Sequence, residues 1–388
     1  MKRIVILGST GSIGRNTLEV VRALEGRIDV VGLSANTNIV ELDRQIAEFR
    51  PKAVCVCSDA LADKLRGACG LPADAVYSGQ DGLVRLARSN EADLVVNAVV
   101  GAAGIVPTLA AIETGKDVAI SNKESLVAAG SVIMEAAEVH GVKLLPIDSE
   151  HSAVFQCMQG EKQASVSRLV LTASGGALID RSPAEIAKVT AAEALRHPTW
   201  SMGRKVTIDS ATLLNKGFEI IEAHWLFGVA ADNIDVVIER SSTVHSLVEF
   251  VDGSVVALLS PPDMRLPIQY ALTYPDRVDT AFARLDLLAV ASLEFEKPDM
   301  ERFPCLELAY EVARRGGTAG AVLSAADEIA VQAFLDGRIA FGDIHAVLRQ
   351  VEAAHEPGDG ATIDGVLKAD AWGREEACRI IDKISGGE

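Results

Sequence analysis

The 388-residue chain holds no apolar run long enough to cross a membrane as a helix. No signal peptide is read ahead of the first strand, so a cytoplasmic protein is expected. Basic residues are scarce: 37 Lys and Arg face 54 Asp and Glu, a formal charge of −17. That balance excludes nucleic acid and anionic membranes as expected partners, since both select basic surfaces. An anionic ligand must then be captured by local donors. The six cysteines form no Cys-x-x-Cys pair and no regular spacing, which excludes a disulfide framework and points to a reducing compartment. Cys55 and Cys57 alternate along one expected strand and read as core packing. No zinc-ligand spacing, nucleophile elbow, internal repeat or low-complexity tract is present. What remains is an ordinary globular composition with length for two or three domains.

The most informative stretch comes first. Ile4–Leu7 reads as a fully buried strand, glycines at 8, 11 and 14 allow a tight turn, and a helix is expected over 16–24. Backbone N–H groups at such a helix start face a pyrophosphate favourably. The Gly-x-x-Gly-x-x-Gly turn is a variant of the dinucleotide fingerprint, and a nucleotide-free strand–turn–helix fits the same residues. After the second strand, Ile28–Leu33, the chain reads Ser34-Ala35-Asn36-Thr37-Asn38. No carboxylate stands where NAD enzymes hold the ribose 2′-hydroxyl, which favours NADP.

Strands at Ile4–Leu7, Val30–Leu33, Ala53–Cys57, Leu94–Ala98, Val118–Ile120 and Lys143–Ile147 alternate with helical patterns. This predicts an α/β, doubly wound, Rossmann-like domain over 1–148. Ligands of such sheets lie beyond the carboxyl ends of the strands. A central α+β domain is expected over 149–273, with strands Leu169–Thr172, Asp235–Ile238, Val244–Phe250 and Ser254–Leu259 and a hairpin turn at Asp252-Gly253. A connector over 274–299 leads to a C-terminal helical bundle over 300–388, where Ile344, Val347, Leu348 and Val351 make a core-facing stripe.

Asp148 and Glu150, two apart at a strand end, can point to the same side. A helix expected over 210–226 carries Asn215, Glu219 and Glu222 on one face, opposite Leu214, Gly217, Phe218 and Ile221. Three carboxylates would make an all-oxygen site for Mg²⁺ or Mn²⁺; a solvated helix face and an exposed acidic turn fit the spacing equally. Ser174-Gly175-Gly176, with Ser210, Asn215 and Lys216 near the start of that helix, could hold a phosphate, or be a turn and a helix cap. Lys123 follows a strand where a nicotinamide would lie, a position that also suits a plain surface charge. The loop His197-Pro198-Thr199-Trp200 suits a mobile lid that excludes water, or a buried corner. His151 and His245 are further polar candidates, with His245 better read as a core histidine.

GSTGSIG at 8–14, NAVVGAAG at 97–104, SNKESLV at 121–127 and LLPIDSEHSAVFQ at 144–156 carry a resemblance. So do RHPTWSMGRKVTIDSATLLNKGFEIIEA at 196–223 and PPDMR at 261–265. In this order they resemble the 1-deoxy-D-xylulose 5-phosphate reductoisomerase family over essentially the whole chain. The resemblance implies NADPH and a divalent cation (Mg²⁺, Mn²⁺ or Co²⁺) as cofactors, a sugar-phosphate substrate, a homodimer and a place in isoprenoid precursor synthesis. It implies Asp148, Glu150 and Glu219 as metal ligands, and these with Lys123, His197 and Trp200 as the catalytic set. Substrate contacts are then Lys123, Ser149, Glu150, Ser174, His197, Ser210, Asn215, Lys216 and Glu219, with Trp200 on the lid. Cofactor contacts are Thr10, Gly11, Ser12, Ile13, Ala35, Asn36, Thr37, Asn38, Asn122, Glu124 and Gly203. Asn36-Thr37 and Ala173 depart from the pairs and the glycine common in the family. The competing functions are a plain NADP dehydrogenase of another small substrate, which needs no carboxylate triad, and a non-catalytic NADP sensor.

Overall fold

The computed structural model describes residues 1–67 and 69–386, which form two compact units. The first comprises Met1–Ser125, Ile133–Ser152 and Asp263–Ala283. Its sheet has seven strands: β1 (Lys2–Leu7), β2 (Ile28–Ser34), β3 (Ala53–Val56), β4 (Val76–Ser78), β5 (Leu94–Asn97), β6 (Asp117–Ile120) and β7 (Leu144–Pro146). They are ordered β4-β3-β2-β1-β5-β6-β7, and every pairing is parallel. Contiguous apolar strands need cover on both faces, and Ile4, Ile6, Leu33, Val95 and Val118 are accordingly fully buried. Strand order reverses between β1 and β5, the switch point where ligands of open α/β sheets bind.

The doubly wound sheet matches the expectation, with differences at its edge. The three residues of β4 were not anticipated. β3 stops at Val56, which leaves Cys55 buried but Cys57 exposed, so only the first is core packing. Asp263–Ala283 packs back into this unit: the helix Arg265–Thr273 lies on the helix Ser12–Ala23, and Lys2 Nζ donates to Leu272 O at 2.8 Å.

The second unit comprises Leu126–Val132, Ala153–Pro262 and Arg284–Glu388. Strands β8 (Val166–Ala173), β9 (Ile234–Ile238), β10 (Val244–Phe250) and β11 (Val255–Leu259) are ordered β11-β10-β8-β9. The β8–β9 pair is parallel and the others antiparallel; the expected hairpin turns through Gly253 at φ +83°. The helices Cys305–Arg315, Ala319–Leu335, Phe341–Ala354 and Ile363–Gly386 complete the unit, and the four residues of the expected stripe are 0% exposed.

The single helix expected over 210–226 is two helices, Arg204–Ala211 and Leu214–Phe227. Leu213 breaks them by adopting left-handed backbone at φ +59°. Its side chain is 2% exposed, so apolar burial offsets the strain. Ser210 therefore ends one helix, while Asn215 and Lys216 open the next.

Candidate active site

At the end of β1, Gly8 has φ +83°, and a Cβ there would lie 2.5 Å from the Ala98 carbonyl oxygen. A Cβ on Gly14 would lie 2.3 Å from Gly8 O, so the helix Ser12–Ala23 begins pressed against the turn. This brings Thr10, Gly11, Ser12 and Ile13 to a helix N-terminus, where aligned amides favour an anion. Beyond β2, Ala35 is buried and Asn36, Thr37 and Asn38 are exposed. Asn38 also caps the helix Ile39–Phe49 by accepting from Glu41 N at 3.1 Å.

Asn122 plays a structural part that spacing did not reveal. It is 1% exposed and caps the helix Lys123–His140 through Ser125 N at 3.0 Å. Its amide nitrogen lies 2.9 Å from Val99 O, 3.0 Å from Gly101 O and 2.9 Å from Glu124 Oε2. The side chain of Asn122 thus holds the loop after β5, with Glu124 accepting from the same amide.

Lys123, the first residue of that helix, pairs with Asp148 and is far from a free surface charge. Asp148 precedes the helix Ser149–Cys157, and Glu150 lies in its first turn. The two carboxylates share a side because of this helix start, where the dipole favours negative charge, and not because of strand alternation. Ser149 Oγ donates to Glu150 Oε2 at 2.7 Å, and Glu150 N to Asp148 Oδ1 at 3.3 Å. The His151 ring is fully buried, with Nδ1 3.8 Å from Asp148 Oδ1.

In the second unit, Glu219 is 1% and Glu222 3% exposed, which removes the solvated-face reading. Glu219 accepts from Asn215 Nδ2 at 2.6 Å and pairs with the buried Lys216 ammonium. Asn215 Oδ1 is buried with no hydrogen-bond partner among the described residues. Asp148 and Glu150 on the first unit and Glu219 on the second are the carboxylates that could hold a metal ion, two half-buried and one buried. An all-oxygen carboxylate set suits a hard divalent ion. The donor set fits such an ion.

Ser174 follows β8, with Gly175 at φ +87° and Gly176 at φ +71°. His197 lies 2.9 Å from Ser174 Oγ through Nε2, while its Nδ1 accepts from Thr199 N at 3.1 Å and Trp200 N at 2.9 Å. Two donors on Nδ1 place the ring proton on Nε2, which donates to Ser174. Burial holds the His197 pKa below its ordinary value, so the ring is neutral at pH 7. The Ser174 hydroxyl proton is then left to meet an anion. Ser210 is buried, and its carbonyl lies against Gly176. Gly203 is exposed and heads the helix Arg204–Ala211. His245 is 4% exposed with Nε2 3.3 Å from Ser260 O, as a core histidine should be. Ser242 escaped the sequence reading: its Oγ accepts from Trp200 Nε1 at 3.2 Å. Its one signal is its place between two strands, β9 and β10.

Comparison with known proteins agrees along the chain. Residues 4–130 match the family described as 1-deoxy-D-xylulose 5-phosphate reductoisomerase, 144–227 match its C-terminal domain, and 259–376 match the DXP reductoisomerase C-terminal domain. The 1-deoxy-D-xylulose 5-phosphate reductoisomerase 1 of Bacillus thuringiensis subsp. konkukian is 49% identical over 385 residues, covering 99% of this chain and 100% of the relative. The Heliobacterium modesticaldum enzyme is 52% identical over 380 residues, 97% of each chain. Among solved structures, the Zymomonas mobilis reductoisomerase in complex with NADPH superposes with a TM-score of 0.91 at 39% identity, covering 98% of this chain and 99% of that one. A DOX-P reductoisomerase in complex with NADPH, fosmidomycin and magnesium gives 0.92 at 39% identity, covering 99% of each. The chain belongs to the 1-deoxy-D-xylulose 5-phosphate reductoisomerase family.

Proposed function

We propose that the chain converts 1-deoxy-D-xylulose 5-phosphate to 2-C-methyl-D-erythritol 4-phosphate, a step toward isoprenoid precursors, using NADPH and a divalent cation. The observation that carries this reading is the acidic set Asp148, Glu150 and Glu219, two half-buried and one buried. A plain dehydrogenase or a cofactor sensor has no need of it.

Asp148, Glu150 and Glu219 would hold the cation, with Lys123 and Lys216 balancing the remaining negative charge. When bound, the cation supplies Lewis-acid polarisation of substrate oxygens during the carbon-skeleton rearrangement, and NADPH supplies the hydride that reduces the resulting aldehyde. Thr10, Gly11, Ser12 and Ile13 would bind the pyrophosphate through backbone N–H groups. Ala35 to Asn38, Asn122, Glu124 and Gly203 complete the proposed cofactor contacts. Ser174, Ser210, Asn215 and Lys216 would bind the substrate phosphate, and neutral His197 aims the Ser174 hydroxyl. Ser149 orients Glu150 through its hydroxyl. Trp200 would cover the reacting carbons and exclude water. Binding energy from the phosphate, remote from the chemistry, can drive that closure.

By role, residues 1–148 would carry the cofactor, 149–273 the metal and substrate, 274–299 the connection and 300–388 the helical support. A homodimer belongs to this reading, and Val255, Val256, Leu287 and Leu288 are exposed apolar side chains available for it. Light scattering tests that assembly. All six cysteines are free, which suits a reducing cytoplasm. Among the described residues no helix is long and apolar enough to cross a membrane.

The test is NADPH oxidation with 1-deoxy-D-xylulose 5-phosphate, with Mg²⁺ and then with excess chelator. Oxidation that requires substrate, disappears with chelator and returns with metal supports the reading. Chelator-insensitive oxidation favours a plain dehydrogenase, and NADPH binding without turnover favours a sensor.

A further inference from the structure

Behind the glycine turn lies a polar cluster in an otherwise apolar layer. Ser9 is 0%, Ser34 2% and Gln45 3% exposed. Ser9 Oγ donates to Gln45 Oε1 at 2.6 Å, and Gln45 Nε2 donates back to Ser9 O at 3.1 Å. Only one orientation of the amide satisfies both bonds, because a carbonyl oxygen needs a donor. Ser9 N donates to Ser34 O at 2.8 Å, and Gly8 N to Ser34 Oγ at 2.9 Å. The backbone of Gly14 closes the other side of Ser9.

The Ser9–Thr10 peptide is trans and planar, so its N–H points opposite to its C=O. Gln45, on the helix Ile39–Phe49, binds the Ser9 carbonyl, so the Thr10 N–H on the opposite side of the same peptide faces away from Gln45. We propose that Gln45 is a positioning residue for NADPH: by binding the Ser9 carbonyl it aims the Thr10 amide at the cofactor pyrophosphate. This rests on the NADPH reading above. The pyrophosphate is common to NADPH and NADH, so the contribution is the same for both.

Gln45→Met keeps the length of the side chain and removes its donor. On the full chain, fluorescence titration should show NADPH affinity falling by about tenfold and NADH affinity by the same factor, the size expected for one lost buried hydrogen bond. The kcat at saturating NADPH and the KM for the sugar phosphate should stay at wild-type values. Ser9→Ala removes the hydroxyl but keeps the carbonyl bond to Gln45, so NADPH affinity should stay within about twofold of wild type. If Gln45→Met does not fold, Gln45→Leu, which also lacks the donor, must show the loss. Wild-type NADPH affinity in either Gln45 variant overturns the assignment. So does a Ser9→Ala loss equal to that of Gln45→Met, because the packing of Ser9 would then be the cause. A changed NADPH-to-NADH ratio also overturns it, since the effect would lie at the 2′-phosphate. Failure of the wild-type chain to bind NADPH would instead remove the underlying reading.

Discussion

The indole of Trp200 donates to Ser242 Oγ at 3.2 Å, and Ser242 stands in left-handed backbone at φ +53°. Glu239, 2% exposed, holds that turn. Its carboxylate accepts from Ser241 N at 3.0 Å, Ser241 Oγ at 2.6 Å, Thr243 N at 2.8 Å and Val244 N at 3.2 Å. The strain of a left-handed serine, ~1–2 kcal/mol, is thus met by charge-assisted bonds from the same turn. Ser242→Ala keeps the Cβ and the strain but removes the indole's acceptor. Steady-state kinetics should show the KM for the sugar phosphate rising by roughly threefold to tenfold, one hydrogen bond's worth, with the NADPH Kd unchanged. An unchanged KM would mean that the bond does not help hold Trp200 in its proposed place over substrate.

Gly176 gives a sharper steric test. At φ +71° it accommodates a side chain poorly, and a Cβ would lie 2.4 Å from the Ser210 carbonyl oxygen. Gly176→Ala should shift the loop that carries Ser174, lower stability by ~1–3 kcal/mol and raise the KM for the phosphorylated substrate. Gly160 has φ +87° with open space around it. Gly160→Ala therefore carries only the local strain, and its KM should match wild type. Thermal melting and KM measured on both variants separate loop displacement from backbone strain.

Much of the N-terminal sheet was legible because residues 4–7, 94–96 and 118–120 are short, wholly apolar runs bounded by polar or glycine residues. The edge strand β4 was not, because Val76–Ser78 is too short to show a period. The break at Leu213 was hidden for another reason: leucine favours helix, and only burial in the folded chain holds it left-handed. Burial likewise removed the solvated-face reading of Glu219 and Glu222, which a pattern of polar residues leaves open. Asp148 and Glu150 were paired for a reason the structure replaces, a helix start in place of strand alternation. The Trp200–Ser242 bond joins residues 42 apart in the chain, and neither carries a local signal for the other.

His197 predicts a pH dependence with a definite sign. Burial lowers its pKa in the folded chain below the ordinary value of 6.5. The unfolded chain therefore takes up the proton first, and stability is lost as pH falls below 6.5 toward the folded value. Protonation would also place a hydrogen on Nδ1, which now accepts from Thr199 N and Trp200 N. Proton–nitrogen NMR should find the Nε2–H tautomer at pH 7 and titration below 6.5, with the KM for substrate rising over the same interval. Titration at or above 6.5, or the opposite tautomer, would contradict the assignment of donor and acceptor.

Glu219 tests the proposed metal ligands apart from the proposed cofactor contacts. It is buried against Lys216, so Glu219→Gln would leave a buried ammonium poorly compensated and cost ~3–5 kcal/mol of stability. Glu219→Asp is the cleaner probe, since it keeps the charge and withdraws the oxygen by one methylene. Asp148 and Glu150 are untouched, while the Glu219 oxygen lies short of the position it now occupies. Calorimetric titration with Mn²⁺ should show an affinity at least about tenfold weaker, because divalent-ion affinity follows ligand number and geometry. Turnover at limiting Mg²⁺ should fall by a similar factor and recover in part at high Mg²⁺, while the NADPH Kd keeps its wild-type value. A Glu219→Asp variant that binds Mn²⁺ as the wild type does would take Glu219 out of the ligand set. Lost NADPH affinity, in turn, would show that this helix serves the cofactor as well as the metal.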